Sequence, residues 1–256
     1  MRLGCANHLL FLILLCSAAC SAGPGAATPG SIPTSQNTPA ATRTSASPAP
    51  TSTPTGETPL VRETPTPPSP NFTEPFDVLP PRWAFLHIDN GQALASPVAR
   101  DGFLVFDLPA SNEWGYALYQ GRPYSDVAIT AQVQYRTEGD GAAGVICRYD
   151  ESRGWYELSV FQDQTYQLLF GQWLASGVAR YTPLYRGQST KIQPDSNEIG
   201  LECQGSTLTP IINGVNQHQW QEQKFALPQG EIGLAASSFA DAPARIAFDS
   251  VQVTEP

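Results

Sequence analysis

Strict alternation of apolar and polar side chains in several short segments constrains the fold of this chain more than any other feature. In residues 126–137, apolar side chains fill every second position from Val127 to Tyr135. Successive side chains of a β-strand point to opposite faces, so this pattern predicts a strand with one buried face. Residues 155–161 and 197–203 alternate in the same way.

Turn-forming residues separate these segments, as at Gly139-Asp140-Gly141, Asn213-Gly214 and Gln229-Gly230. No segment has the periodicity of an amphipathic helix. Many short strands joined by such turns are typical of a sandwich of two antiparallel sheets. The sequence therefore predicts an all-β sandwich domain over residues 76–256.

Residues 1–20 have the layout of a secretory signal peptide. Arg2 precedes an apolar run at residues 9–15, and small residues lead to Cys20. A bilayer span needs roughly 20 apolar residues, so this run is too short for a transmembrane helix. Ser17-Ala18-Ala19-Cys20 resembles the bacterial lipoprotein cleavage box, in which the cysteine after the cut carries the lipid. The resemblance implies an exported protein anchored to the outer face of a bacterial membrane through Cys20; secretion without a lipid is the alternative.

Proline, threonine, serine and alanine dominate residues 21–75. Such a segment cannot bury enough apolar surface to offset the entropy of ordering it, which predicts a disordered, semi-stiff stalk. The formal net charge of −9 falls entirely on residues 76–256. An acidic domain without a basic cluster disfavours nucleic acid as a partner. No pattern indicates a particular oligomeric state.

The chain has five cysteines, of which Cys5 and Cys16 lie in the predicted signal peptide. Cys20 is the predicted lipidation site. Cys147 and Cys203 remain, both on the predicted inward faces of strands. In an exported domain, two such cysteines predict a disulfide, and we expect it to join neighbouring strands. Two buried free thiols are the alternative.

The second half of the domain has a characteristic order of motifs. Ile199-Gly200-Leu201-Glu202-Cys203 leads to the Asn213-Gly214 turn; Gly230-Glu231-Ile232-Gly233-Leu234 and Phe248-Asp249-Ser250-Val251-Gln252-Val253 follow. This order resembles the closing half of a concanavalin A-like jelly roll, in the laminin-G-like and keto-disaccharide-hydrolase-like group. The resemblance implies that sugars lie across the concave sheet or on the loops at its rim.

The alternation of inward and outward side chains gives five candidate ligand-binding residues: Arg136, Arg148, Trp155, Glu157 and Trp173. If their strands are neighbours, we expect Arg136, Arg148 and Glu157 to cluster beside an exposed Trp155. A guanidinium–carboxylate pair next to an indole would hydrogen-bond and stack on a sugar ring. The alternative is a solvated polar face whose charges only pair with one another.

No metal site is predicted. Beyond the signal peptide only His87 and His218 remain, and neither is close in sequence to a cysteine, which disfavours zinc. The resemblance leaves a structural calcium open, bound by carboxylates such as Asp249. No other cofactor is expected.

The sequence favours a non-catalytic role. The resemblance implies that a jelly-roll glucanase would have its carboxylates on one strand as Glu-x-Asp-x-x-Glu, and no such run occurs. Asp150-Glu151 lies in a predicted turn, and Glu157 is alone on its strand. We therefore expect a module that binds carbohydrate or another envelope ligand. A glycan-processing hydrolase and a structural or protein-interaction module of the envelope are the alternatives.

Overall fold

Two antiparallel β-sheets packed face to face form the folded part of the chain. The computed structural model describes residues 68–88, 96–137, 139–175 and 177–256. The predicted signal peptide, Cys20 and most of the predicted stalk lie outside these residues. Within the described residues, no helix is long and apolar enough to cross a membrane.

The described residues contain sixteen strands. In chain order they are β1 (Phe72–Glu74), β2 (Trp83–Ile88), β3 (Val98–Arg100), β4 (Phe103–Leu108), β5 (Trp114–Tyr124), β6 (Val127–Tyr135), β7 (Gly141–Asp150), β8 (Gly154–Phe161), β9 (Thr165–Ala175), β10 (Val178–Gln188), β11 (Ser196–Gln204), β12 (Thr207–Ile212), β13 (Val215–Asn216), β14 (Trp220–Gln221), β15 (Gly230–Ser238) and β16 (Ala244–Thr254). The nine-stranded sheet has the order β13-β12-β11-β6-β16-β4-β3, with β1 paired to β16 and β14 to β12. The seven-stranded sheet has the order β10-β9-β8-β7-β15-β5-β2.

The main core lies between the two sheets and follows the predicted alternation. On β6, every second residue from Val127 to Tyr135 is buried, and the residues between them are half-buried. Tyr156, Leu158 and Val160 of β8 also join this core. The prediction of an all-β sandwich of two antiparallel sheets is therefore confirmed.

The predicted disulfide between Cys147 and Cys203 is present, with 6.7 Å between the two Cα atoms. Cys147 lies on β7 of the seven-stranded sheet, and Cys203 lies on β11 of the nine-stranded sheet. The expectation that the bond joins neighbouring strands is wrong, because β7 and β11 belong to different sheets. The bond links the two sheets through the core, where both cysteines are fully buried.

A β-bulge near the end of β7 changes the predicted register. The pairing of β7 with β8 shifts between Cys147 and Asp150, and Arg148 has a positive φ of 54°. A bulge adds one residue to one strand and so reverses the faces of the residues beyond it. Unbroken alternation would place Tyr149 on the core face beside Cys147, but Tyr149 lies on the opposite face of the sheet, in contact with Trp155.

The sandwich begins before the predicted boundary at residue 76. Phe72 of β1 pairs with Val253 of β16, and its ring lies 4.7 Å from that of Tyr119. Phe72 is the one aromatic residue in the predicted stalk, and the partner that orders it lies at the far end of the chain. The stalk was predicted from its amino-acid composition, and composition does not reveal that a single residue pairs with a distant strand.

Candidate functional site

The outer face of the seven-stranded sheet, which points away from the main core, carries a second hydrophobic cluster. We call it the outer aromatic cluster. Its aromatic members come from five strands: Trp114 and Tyr116 of β5, Tyr149 of β7, Trp155 of β8, Trp173 of β9 and Tyr181 of β10. A two-layer sandwich needs only one buried face per sheet, so this second apolar layer requires an explanation.

Trp155 is the centre of the outer aromatic cluster. Its ring lies 5.1 Å from that of Trp173, 5.6 Å from Tyr149, and 5.9 Å from both Tyr116 and Tyr181. These four rings leave Trp155 fully buried. The prediction of an exposed Trp155 is therefore wrong: the side chain lies on the predicted outer face, but its neighbours cover it.

Small residues make room for this layer. Gly171 pairs with Trp155, and a Cβ atom at Gly171 would lie 2.3 Å from Trp155 Cε2. Gly144 pairs with Ser159 on β8, and a Cβ atom there would lie 3.1 Å from the Ala235 methyl group. A larger side chain at Gly171 would therefore collide with Trp155, and one at Gly144 would crowd Ala235.

Hydrogen bonds orient the rings of the outer aromatic cluster. Trp173 Nε1 donates to the Tyr149 hydroxyl oxygen at 2.9 Å. The hydroxyl groups of Tyr116 and Tyr181 hydrogen-bond to each other. Burial raises the pKa of both Tyr149 and Tyr181, so these hydroxyls stay protonated and available as donors.

Glu157 lies beside Trp155 with its carboxyl group buried at 2% exposure. Trp155 Nε1 donates to Glu157 Oε2 at 3.0 Å, and Ser159 Oγ donates to Glu157 Oε1 at 2.8 Å. Burial raises the pKa of Glu157, and these two hydrogen bonds only partly offset that effect. Among the described residues, no Lys or Arg forms an ion pair with this carboxyl group.

A groove of about 670 Å³ opens over Glu157, and we call it the aromatic groove. Trp114 and Tyr181 of the outer aromatic cluster line it, and both are half-buried. The other lining residues mix aromatic, polar and charged side chains, among them Phe161, Phe239, Ser159, Gln167, Asn112, Asp140, Asp163 and Arg186. The groove therefore offers both ring faces and hydrogen-bonding groups to a ligand.

A second groove of about 640 Å³ lies on the same face, towards β2, and we call it the acidic groove. Tyr149 and Leu118 of the second hydrophobic cluster form part of its wall. Its charged lining residues are Asp150, Glu151 and Glu231. The two grooves thus share one face of one sheet.

Three of the five predicted ligand-binding residues lie together on this face: Trp155, Glu157 and Trp173. Arg136 does not, because β6 belongs to the nine-stranded sheet; its guanidinium lies 4.1 Å over the Phe103 ring. The expected cluster of Arg136, Arg148 and Glu157 is therefore wrong. β6 and β7 follow each other in the chain but lie in different sheets.

Arg148 forms hydrogen bonds within the fold and does not join the candidate site. Its guanidinium donates to the carbonyl oxygens of Ser125 at 2.7 Å, Gly205 at 2.8 Å and Leu227 at 3.0 Å. It also forms an ion pair with Asp126 at 3.2 Å. The bulge turns this side chain away from the outer aromatic cluster, and its donors tie three loops together at one end of the sandwich.

Sequence reasoning missed Trp114, Tyr181 and Phe239 as lining residues. Trp114 Cα pairs with Ser237 of β15, and its ring lies 6.4 Å from Tyr181 and 6.1 Å from Phe239. These contacts join segments far apart in the chain, so only the strand order brings them together. One signal was available in the sequence: Trp114 and Tyr116 are two residues apart on β5, and residues at that spacing face the same side of a strand.

The described residues contain no group of three His, Cys, Asp or Glu side chains that could hold a metal ion. Asp249, one of the carboxylates considered for calcium, is exposed on β16, and Asp89, another, lies outside the described residues. The calcium alternative therefore has no ligand set in the described part of the chain.

Comparisons with solved structures identify the fold. A Bacillus licheniformis β-glucanase is 12% identical, with 73% of this chain and 99% of that chain covered and a TM-score of 0.50. A glycoside hydrolase family 16 endo-glucanase from Bacteroides ovatus, in complex with G4G3G-2F-DNP, is 12% identical over 72% and 99%, with a TM-score of 0.52. A Bacillus subtilis protein of unknown function with a galectin-like fold is 14% identical over 72% and 94%, with a TM-score of 0.53.

No protein-family model and no curated protein sequence matches the chain. Identities this low establish the fold alone. The prediction of a concanavalin A-like jelly roll is confirmed.

Proposed function

We propose that this protein is a non-catalytic carbohydrate-binding module whose aromatic groove holds part of a sugar chain. The observation that carries this proposal is the aromatic groove itself. It combines half-buried rings, a buried carboxyl group and neutral polar side chains on the outer face of one sheet. Sugar rings present apolar C–H faces and polar hydroxyl edges, so a site for them needs both kinds of surface.

Two rings form a platform in the groove. Trp114 and Tyr181 are stacked with 27° between their planes. Phe239 contacts Trp114 edge-on at 89° and holds it in this orientation. A sugar ring that stacks on the platform gains apolar contact without ordering flexible side chains.

The polar groups beside the platform suit hydroxyl groups. Each Glu157 oxygen accepts one hydrogen bond within the protein, which leaves acceptor capacity on both oxygens. Ser159 and Gln167 line the same groove as neutral partners. A ligand hydroxyl that donates to Glu157 would complete the hydrogen bonding of a buried carboxyl group, which is costly to leave incomplete.

The similar structures add support for a glycan ligand. Two of those reported above are glucanases, and one of them holds G4G3G-2F-DNP. The shared fold makes a glycan a reasonable ligand class for the groove. The residues of this chain, rather than the fold, carry the argument for where it binds.

A glycan array followed by calorimetric titration of the best ligand tests this proposal. Trp114→Ala and Tyr181→Ala should each weaken binding by about tenfold or more, because each removes a ring of the platform. Phe103→Ala is the matched control, since Phe103 is a half-buried aromatic residue on the nine-stranded sheet. Absence of binding to every glycan, or equal loss in the control, would refute the proposal.

Glycan hydrolysis is a second candidate, and the buried Glu157 favours it. A carboxyl group whose pKa is raised by burial is suited to act as a general acid. Glycosidases of the common type also need a second carboxylate across the scissile bond. The effects that shift the pKa of Glu157 are burial and two neutral donors, with no charged neighbour among them. Release of new reducing ends from polysaccharides, lost in Glu157→Gln, would establish hydrolysis; no release at high protein concentration would exclude it.

We also propose that the protein is exported and held on the outer face of a bacterial membrane through lipidated Cys20. The support is the signal-like layout of residues 1–20 and the Pro/Thr/Ser-rich segment that follows. Mass spectrometry of the N-terminal peptide from the membrane fraction tests the lipid. Cys20→Ala should move the protein to the soluble fraction, whereas an unmodified Cys20 in the native protein would indicate secretion.

A further inference from the structure

Both grooves on the outer face of the seven-stranded sheet are lined with acids. Asp140, Glu157 and Asp163 line the aromatic groove, and Asp150, Glu151 and Glu231 line the acidic groove. Among the described residues that line the two grooves, Arg186 is the one cationic side chain. Six acids and one arginine thus line the two grooves of this face.

None of these six carboxyl groups forms an ion pair among the described residues. The four ion pairs found there join Arg100 and Arg245 to Asp107, Arg122 to Glu255, and Arg148 to Asp126. Four arginines of the domain thus pair with acids that do not line either groove. In the acidic groove, hydrogen bonds from Ser152 and the charge of Arg153 lower the pKa of Asp150. In the aromatic groove, no cation contributes to the pKa shifts of Asp140 and Glu157.

The acids of the aromatic groove also lie close enough to repel one another. Burial raises the pKa of Asp140, and the charges of Asp241 and Asp163 raise it further. Glu157, at the base of the groove, is buried without a cation. A positively charged ligand group would relieve both the repulsion and the cost of a buried carboxylate.

We propose that the aromatic groove selects a glycan that carries free amino groups, such as an oligomer of glucosamine. This inference rests on the proposed carbohydrate-binding function and specifies its ligand class. An ammonium group on the sugar ring donates to Glu157 in the groove, while the ring stacks on Trp114 and Tyr181. Glycans that carry uronic acids or sulfates are repelled by the six carboxyl groups on this face.

The ring platform favours an amino sugar over a basic peptide. Trp114 and Tyr181 both line the groove, half-buried and with 27° between their ring planes, and so offer aromatic surface to a sugar ring. The groove also carries neutral polar side chains, Ser159, Gln167 and Asn112, for the remaining hydroxyl groups. A lysine side chain would pair with the acids of the groove, but it has no hydroxyl groups to bond to these neutral polar side chains.

Titration of the purified full chain with matched tetramers tests the inference. The probes are a glucosamine tetramer, its N-acetylated form, cellotetraose, tetragalacturonate and a tetralysine peptide, at about pH 6, where a free amine is cationic. The glucosamine tetramer should bind about tenfold tighter than cellotetraose, as a charge-assisted hydrogen bond is stronger than a neutral one. Added salt should reduce this preference, and tetragalacturonate should not bind.

Glu157→Gln should bring the affinities of the glucosamine tetramer and cellotetraose close together, because it removes the charge and keeps the shape. Glu198→Gln, on the nine-stranded sheet, is the matched control and should leave the preference intact. If Glu157→Gln does not fold, Asp163→Asn at the exposed rim of the groove replaces it, with a smaller loss of preference.

The outcomes separate the inference from the function on which it rests. Equal binding of the glucosamine tetramer and cellotetraose by the native protein overturns the charge selection and leaves carbohydrate binding standing. Tighter binding of tetralysine than of the glucosamine tetramer assigns the groove to a basic peptide and overturns both. Absence of binding to every tetramer also overturns both.

Discussion

The outer faces of the two sheets satisfy their polar groups in different ways. On the nine-stranded sheet, the outward residues of β6 are half-buried, and Gln132 Nε2 donates to Glu198 Oε2 at 2.8 Å. On the seven-stranded sheet, β8 is buried on both faces over seven of its eight residues. Glu157 lies there beside Trp155, and among the described residues it forms no ion pair.

This difference identifies the face that needs a functional explanation. The outer face of the nine-stranded sheet is a solvated surface, on which Asp107 forms ion pairs with Arg100 and Arg245. The outer face of the seven-stranded sheet is buried at its centre and acidic at its grooves, although the sandwich core does not require a second buried layer. Surfaces of this kind are typical of ligand-binding sites.

Trp155→Ala provides the strongest test of the buried layer. We expect it to lower the free energy of unfolding by roughly 3–5 kcal/mol, as removal of a fully buried aromatic side chain does. Phe103→Ala on the outer face of the nine-stranded sheet should cost about 1 kcal/mol. Urea denaturation of both variants gives the comparison, and equal losses would show that the two faces do not differ.

Cys203→Ala tests the connection between the sheets. Loss of the bond to Cys147 should lower the free energy of unfolding by about 2–4 kcal/mol, because it frees a loop with a sequence separation of 56. Both sheets should unfold together at a lower temperature in near- and far-ultraviolet circular dichroism. A variant as stable as the native protein would indicate that packing alone joins the sheets.

The pH dependence of stability should distinguish Glu157 from exposed acids. Burial raises the pKa of Glu157 above its unfolded value of 4.5, so its contribution to stability is fully present below that value. The contribution is lost as the pH rises through the folded pKa. The native protein should therefore lose stability relative to Glu157→Gln as the pH rises above 4.5, in denaturation series at several pH values. A constant difference between the two proteins would contradict burial of an ionisable group.

Arg245→Ala should have the smallest effect. Arg245 pairs with Asp107 on the outer face of the nine-stranded sheet, where both side chains are more than 40% exposed. Such pairs contribute about 1 kcal/mol or less. The loss in thermal stability should be small and should shrink further in high salt, and ligand binding should be unchanged. A large loss would mean that this face, too, depends on specific contacts.

The alternation of residues 126–137, 155–161 and 197–203 predicted strands and inward faces correctly, because burial on one face of a strand is a local pattern. The bulge at Arg148 escaped prediction, and it moved Tyr149 to the other face. Bulges depend on pairing with a neighbouring strand, which local sequence does not specify.

The candidate site was only partly predictable for the same reason. Trp155, Glu157 and Trp173 were selected because alternation places them on the outward faces of their strands, and they do lie together. Arg136 was expected to join them if its strand neighboured theirs, but β6 lies in the other sheet. Placing Trp114 and Tyr181 in one groove requires the order of β5, β15, β7, β8, β9 and β10, which emerges only from the complete fold.

The central claim is that glycans bind on the outer face of the seven-stranded sheet, and the five tryptophans provide the most direct measurement. Trp114, Trp155 and Trp173 belong to the outer aromatic cluster, whereas Trp83 and Trp220 pack against the main core. The indole N–H signals of all five can be followed by nuclear magnetic resonance while cellotetraose or the glucosamine tetramer is added. The account predicts shifts for the first three and none for Trp83 and Trp220. Shifts confined to Trp83 and Trp220, or none at saturating tetramer, would contradict it.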